Sequence, residues 1–156
     1  MKELIPVMER ARELIEKPEQ WYQGTIYVYL DPEADFVEKY YLNSPHHAKC
    51  YLDDCGDPRE GFCMCATGAV RLAVHLYPHN PKDMADYEMV DCLLRCLADV
   101  LKDPECAGFV PAPKPNKYNL SYLGACEAFN DHPNTSHGDV MLWFKQAIEK
   151  MEAANE

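Results

Sequence analysis

The side chains of this chain best suited to chemistry are its thiols and imidazoles. Cys65 falls near the start of an expected helix, where the helix dipole favours a thiolate, and a cysteine nucleophile is often placed this way. It would need a base. His75 is excluded, because ten residues along the same helix it lies about 15 Å away along the axis and is turned by roughly 80°. His132 and His137 remain, with Asn130 or Asp131 to orient the ring. This makes Cys65, His137, His132 and Asp131 the catalytic alternative. The plainer account is a small buried thiol, since Cys65 shares an apolar stripe with Ala69 and Leu72.

A metal is the next chemistry to weigh. His46, Cys50, Cys55 and Cys63 are the densest run of soft ligands, and a structural zinc would take four N or S donors in a tetrahedron. The chain has no Cys-x-x-Cys pair, and Cys63-x-Cys65 entering a helix is a poor chelate. No metal or other cofactor is therefore expected, with the zinc-stabilised interaction module kept as an alternative. Gly-x-Gly-x-x-Gly and Walker loops are absent, as is a Gly-x-Ser-x-Gly elbow. Asp53 and Asp54 read as solvated loop residues.

Binding needs fewer groups. Trp21, Tyr27, Tyr29, Tyr40 and Tyr41 supply aromatic faces, and Gln23 and Asn130 supply amides, on which a planar molecule such as a nucleobase could stack. The expected ligand set is Trp21, Gln23, Arg71, Asn130 and Asp131. Each has a structural counterpart: a salt bridge from Arg71 to Asp131 or another carboxylate, and a turn at Asn130-Asp131 bonded to its own backbone.

Composition limits the partners. The 156 residues include 26 acidic and 15 basic side chains, a net charge of −11, which opposes binding to nucleic acid or to an anionic membrane surface. The opening Met1-Lys2-Glu3-Leu4-Ile5-Pro6 has no apolar signal core, and no stretch approaches the ~20 apolar residues of a membrane span. A cytoplasmic protein is expected, in which the eight cysteines stay mostly reduced.

These groups must be positioned by the elements around them. From Met64 to Tyr77 the chain is small and apolar almost all the way round, with one polar stripe of Thr67, Arg71 and His75, and it predicts a buried helix on which the others pack. Gly68 and the alanines let neighbours approach it. Leu4, Val7, Met8, Ala11, Leu14 and Ile15 mark a first helix, and Thr25–Leu30 reads as a strand. Phe36–Leu42 fits a second strand or a helical turn, and Ala48–Leu52 a short strand. Met89, Val90, Leu93, Leu94, Leu97, Val100 and Leu101 form a strongly periodic stripe, with Asp83 and Asp86 as the expected cap pair. Residues 103–118, with four prolines, read as a semi-rigid connector. Ser121 is expected to cap a short helix with Tyr122, Ala125, Cys126 and Phe129 inward. Ser136 and Asp139 open the last helix, buried through Val140, Met141, Phe144, Ala147, Ile148 and Met151.

Four motifs in order carry a resemblance. They are Trp21-Tyr22-Gln23-Gly24 after a first helix, Cys65-Ala66-Thr67-Gly68-Ala69, Phe129-Asn130-Asp131, and a closing helix with Val140 and Ala147-Ile148. In these the chain resembles an uncharacterised family of small bacterial and phage proteins. The resemblance implies a shared fold and supplies no mechanism.

The expectation is therefore one α+β domain over residues 1–156, with four or five helices around the 64–77 helix and a small antiparallel sheet at one side. The expected role is a non-catalytic binding protein, an accessory factor of a phage or bacterium that sequesters a nucleotide-like small molecule or docks on a host protein. A homo-oligomer is compatible with this, and a cysteine-dependent hydrolase or transferase is the alternative.

Overall fold

The first helix begins as the sequence dictates. Pro6 stands in the first turn, where its missing N–H is not needed, and the chain runs from a 3₁₀ turn at Lys2–Leu4 into α1, Ile5–Glu13. Val7, Met8 and Ala11, followed by Leu14 and Ile15, are fully buried, as their spacing requires. The structure is a computed structural model, and it describes residues 2–24, 26–30, 39–78, 84–103 and 122–154.

Among the described residues three short strands follow, rich in aromatic and other bulky apolar side chains. They are β1 (Tyr27–Leu30), β2 (Lys39–Leu42) and β3 (Phe62–Met64), antiparallel in the order β2-β1-β3. β1 is central, with Val28 opposite Tyr41 on one side and Cys63 on the other. The third strand is not the expected Ala48–Leu52. That segment is helical instead: α2 spans Pro45–Ala48 and a 3₁₀ turn covers Lys49–Tyr51. The reason is local. Ser44 Oγ accepts the His47 N–H at 3.3 Å, and Pro45 supplies a preset helical φ at the first position.

The central helix is correspondingly shorter than residues 64–77. Met64 belongs to β3, Cys65 is the extended N-cap, and α3 is Ala66–Leu76. Backbone pairing takes the extended residues: Cys65 N–H donates to the Ile26 carbonyl at 3.1 Å, and Tyr22 N–H to the Met64 carbonyl at 3.0 Å. α3 is central as expected, touching α1, α2, α4 (Asp86–Lys102) and α5 (Tyr122–Asn130). Gly68 lets α3 lie against the sheet. A Cβ there would stand 3.1 Å from both the carbonyl carbon and Cγ2 of Ile26, and closer still to the Ile26 oxygen.

α4 buries Met89, Leu93, Leu94, Leu97 and Val100. It opens with the Ala85 N–H on Glu88 Oε2 at 3.0 Å, whereas Asp83, expected as the cap, lies outside the described residues. The expected 103–118 connector, apart from Asp103, and Ser121 also lie outside them. α6 (His137–Ala153) starts at the expected pair: Ser136 Oγ accepts the Asp139 N–H at 3.2 Å, and Asp139 Oδ2 accepts the Ser136 N–H at 2.8 Å. Trp143 was not expected inside, yet it is fully buried and donates its Nε1–H to the Leu97 carbonyl at 2.7 Å, tying α6 to α4. The fold is thus α+β with six α-helices among the described residues, the short α2 being the one beyond the four or five expected.

Candidate functional site

Four of the five expected ligand residues converge, and they converge on each other. Asn130 ends α5 and is 1% exposed. Its Oδ1 accepts the Trp21 indole N–H at 2.8 Å and the Ala66 backbone N–H at 3.0 Å. Both donors can only donate, so the amide orientation follows from chemistry. Its Nδ2 donates to the Tyr22 carbonyl at 3.3 Å and to Asp131 Oδ1 at 2.8 Å. Asp131 Oδ1 also accepts the Gly24 N–H at 2.8 Å.

Gln23 completes this clasp from the N-terminal side. Its Nε2 donates to the carbonyls of Asn130 and His132, each at 3.0 Å, and to that of Thr135 at 3.3 Å. The Ala66 N–H is one of the first-turn donors that a helix leaves without an internal partner. Asn130 therefore caps α3 from another helix while locking the Trp21–Gly24 turn. The hydrogen-bonding groups that sequence reasoning offered to a ligand are largely taken by the protein itself.

Cys65 sits at the helix start, as expected, but is 5% exposed. Among the described residues its Sγ has two hydrogen-bond partners: Thr67 Oγ1 at 3.1 Å and the Gly68 N–H at 3.3 Å. Burial pushes the thiol above its ordinary value, opposed by these bonds, and the Asp131 carboxylate adds to the rise. The two imidazoles are committed elsewhere. His137 Nε2 lies 2.7 Å from the Ile15 carbonyl, which fixes the proton on that nitrogen, and His132 Nδ1 accepts the Asn134 N–H at 3.2 Å. The structure brings neither ring into hydrogen-bonding contact with Cys65.

The soft-ligand set does not assemble either. Cys63 is buried in β3, its Sγ 3.7 Å from the Val28 carbonyl, whereas Cys50 and Cys55 are exposed. His46 stacks edge-on to His75 with ring centres 6.1 Å apart. No group of three or more His, Cys, Asp or Glu side chains among the described residues is placed to hold a metal. Asp53 has a purely local role: its Oδ1 accepts the N–H groups of Cys55 and Asp57, both at 2.9 Å, and these bonds hold its carboxyl below the usual range.

Arg71, the fifth expected ligand residue, lies apart from the clasp. Among the described residues Arg71 forms no ion pair, and Asp131 Oδ1 is instead held by Gly24 and Asn130. Its Nε is buried without a hydrogen-bond partner among the described residues, and so is the phenolic oxygen of the fully buried Tyr27, on which the Arg71 charge acts. Arg71 lines a groove of about 320 Å³ between α3 and the first turns of α4. Val74 and His75 share its wall, Asp86, Tyr87 and Val90 form the facing one, and Pro45 of α2 closes an end. Tyr87 stands at this groove 74% exposed.

Sequence reasoning missed this groove. The signal for one wall was present, because Arg71 and His75 continue from Thr67 the one polar stripe of a mostly apolar helix. The facing wall comes from a helix that reads as ordinary amphipathic packing. No curated protein and no solved structure matches the chain. A family model does, over residues 1–150, and the chain belongs to that family, a family of unknown function designated DUF6197.

Proposed function

We propose that this is a non-catalytic binding protein, which holds a small molecule in the groove between α3 and α4. One observation carries the reading: Arg71, whose Nε is buried with no hydrogen-bond partner among the described residues, lines a partly apolar groove. A guanidinium that its surroundings leave partly unpaired favours an acceptor from a ligand in the groove that the residue lines. The catalytic alternative lacks comparable support, because its thiol is buried with a raised pKa and both imidazoles are bonded to backbone.

The role that fits is sequestration of a metabolite by a cytoplasmic accessory factor of a bacterium or phage. Docking on a host protein through the exposed Tyr87 is the second reading, favoured by that ring alone.

Native mass spectrometry of gently purified protein tests the proposal, beside Val90→Trp, which fills the groove. A retained small molecule of fixed mass, lost in the variant, is expected. Retention that ignores the substitution, or none in either protein, would overturn the reading.

A further inference from the structure

The chemistry of the groove narrows its ligand, and the inference rests on the binding role just given. Its cation is Arg71, whose planar fork matches a carboxylate in two-point contact. Opposite stands Asp86, exposed and negatively charged, on the first turn of α4. That carboxylate opposes a second negative charge on any ligand, and the protein's net charge of −11 does the same at longer range. Apolar surface from Pro45, Val74 and Val90 makes up much of the remainder, with the Tyr87 ring at the rim. At about 320 Å³ the space is at the lower end for small-molecule sites, which run to about 1,000 Å³. A nucleoside di- or triphosphate fits neither the charge nor the volume.

We propose that the groove between Arg71 and Val90 binds a small monocarboxylate with a compact apolar body, its carboxylate on the Arg71 guanidinium and its body between Val74, Val90 and Pro45. Tyr87 covers the exposed face of that body. His75, one turn beyond Arg71 on the same wall, supplies a polar edge beside the carboxylate.

The test is a titration of ¹⁵N-labelled full-length protein, followed through its amide resonances. Benzoate, phenylacetate and 3-methylbutanoate are each compared with the corresponding neutral amide and with inorganic phosphate. The expected result is displacement of the Val74, His75, Tyr87 and Val90 resonances by at least one acid, about tenfold more tightly than by its amide, as one charge-assisted pair supplies. Arg71→Met should erase that preference. Arg71→Lys keeps the charge without the fork and should retain part of it, which guards against a folding defect in the first variant. Equal binding of acids and amides would leave the binding groove standing and overturn the carboxylate assignment, as would tighter binding of phosphate than of every acid. If no acid or amide moves these resonances, both the assignment and the binding role fall.

Discussion

Asn130→Ala should be among the most damaging single changes in this protein, and the clasp geometry says by how much. The substitution leaves the Trp21 indole N–H and the Ala66 N–H without their shared acceptor, and frees the Tyr22 carbonyl and Asp131 Oδ1 from their amide donor. Each buried donor left unsatisfied costs about 1–3 kcal/mol. Water reaches the half-buried Trp21 more readily than the interior, so the lower part of that range applies there. Together with the vacated volume, a loss of about 3–4 kcal/mol is expected, a large share of the ~5–15 kcal/mol that holds a domain together. At this chain length that lowers the melting temperature by about 10 °C. Urea unfolding followed by circular dichroism measures it. Asn130→Asp sharpens the test, because the new carboxylate faces the Tyr22 carbonyl and Asp131. Its protonated form is favoured in the folded state, so its deficit should grow as pH rises from about 4 to 7 and shrink on acidification. A loss below about 1 kcal/mol for Asn130→Ala, or a pH-independent deficit for Asn130→Asp, would refute the reasoning.

Further predictions follow from the same geometry. Gly68→Ala drives a methyl into the Ile26 carbonyl and should cost about 1–3 kcal/mol in a thermal melt, against the small gain that Gly→Ala brings in an open helix. Iodoacetamide at neutral pH should label the exposed Cys50 and Cys55 first and leave Cys65 nearly untouched in the folded protein, as peptide mapping would show. Trp143→Phe removes the bond to the Leu97 carbonyl and should cost about 1–2 kcal/mol in urea unfolding. The carboxyl of Asp53 is held below its ordinary 3.8 by the Asp57 and Cys55 N–H groups, so its contribution is present above about pH 4 and lost as pH falls through the lower folded value. Asp53→Asn should flatten the acid limb of stability in that window, as read from melts between pH 2 and 5.

How far the sequence could be read depended on the length of each pattern. α4 and α6 repeat their apolar stripe over several turns, so the period marked both, and Ser136 with Asp139 marked the start of α6, while Trp143 lies off the Val140–Phe144 spacing that gave its buried stripe. Phe62-Cys63-Met64 forms a strand, but it is continuous with the apolar run of α3, and a short apolar stretch has no period of its own. Ala48–Leu52 failed for the same reason, while its true signal, Ser44 before Pro45, stood just upstream. At the site, residue types pointed Trp21, Gln23, Asn130 and Asp131 to one place, and the structure does bring them together. Their use could not be read, because a side chain that can bond a ligand can equally bond a neighbouring turn. The groove joins α2, α3 and α4, and no local pattern encodes such a juxtaposition. Only the polarity of Arg71 and His75 on a buried helix left a trace.

The claim at the centre is that the protein meets its ligand at Arg71, while Cys65 and the Asn130 clasp serve the fold. A crystal structure of the protein carrying its co-purified small molecule tests this most directly. Density within hydrogen-bonding distance of the Arg71 guanidinium, with the Trp21, Gln23 and Asn130 bonds unchanged, is the result expected. Density against the Cys65 sulfur, with the ring of His132 or His137 turned toward it, would contradict the account.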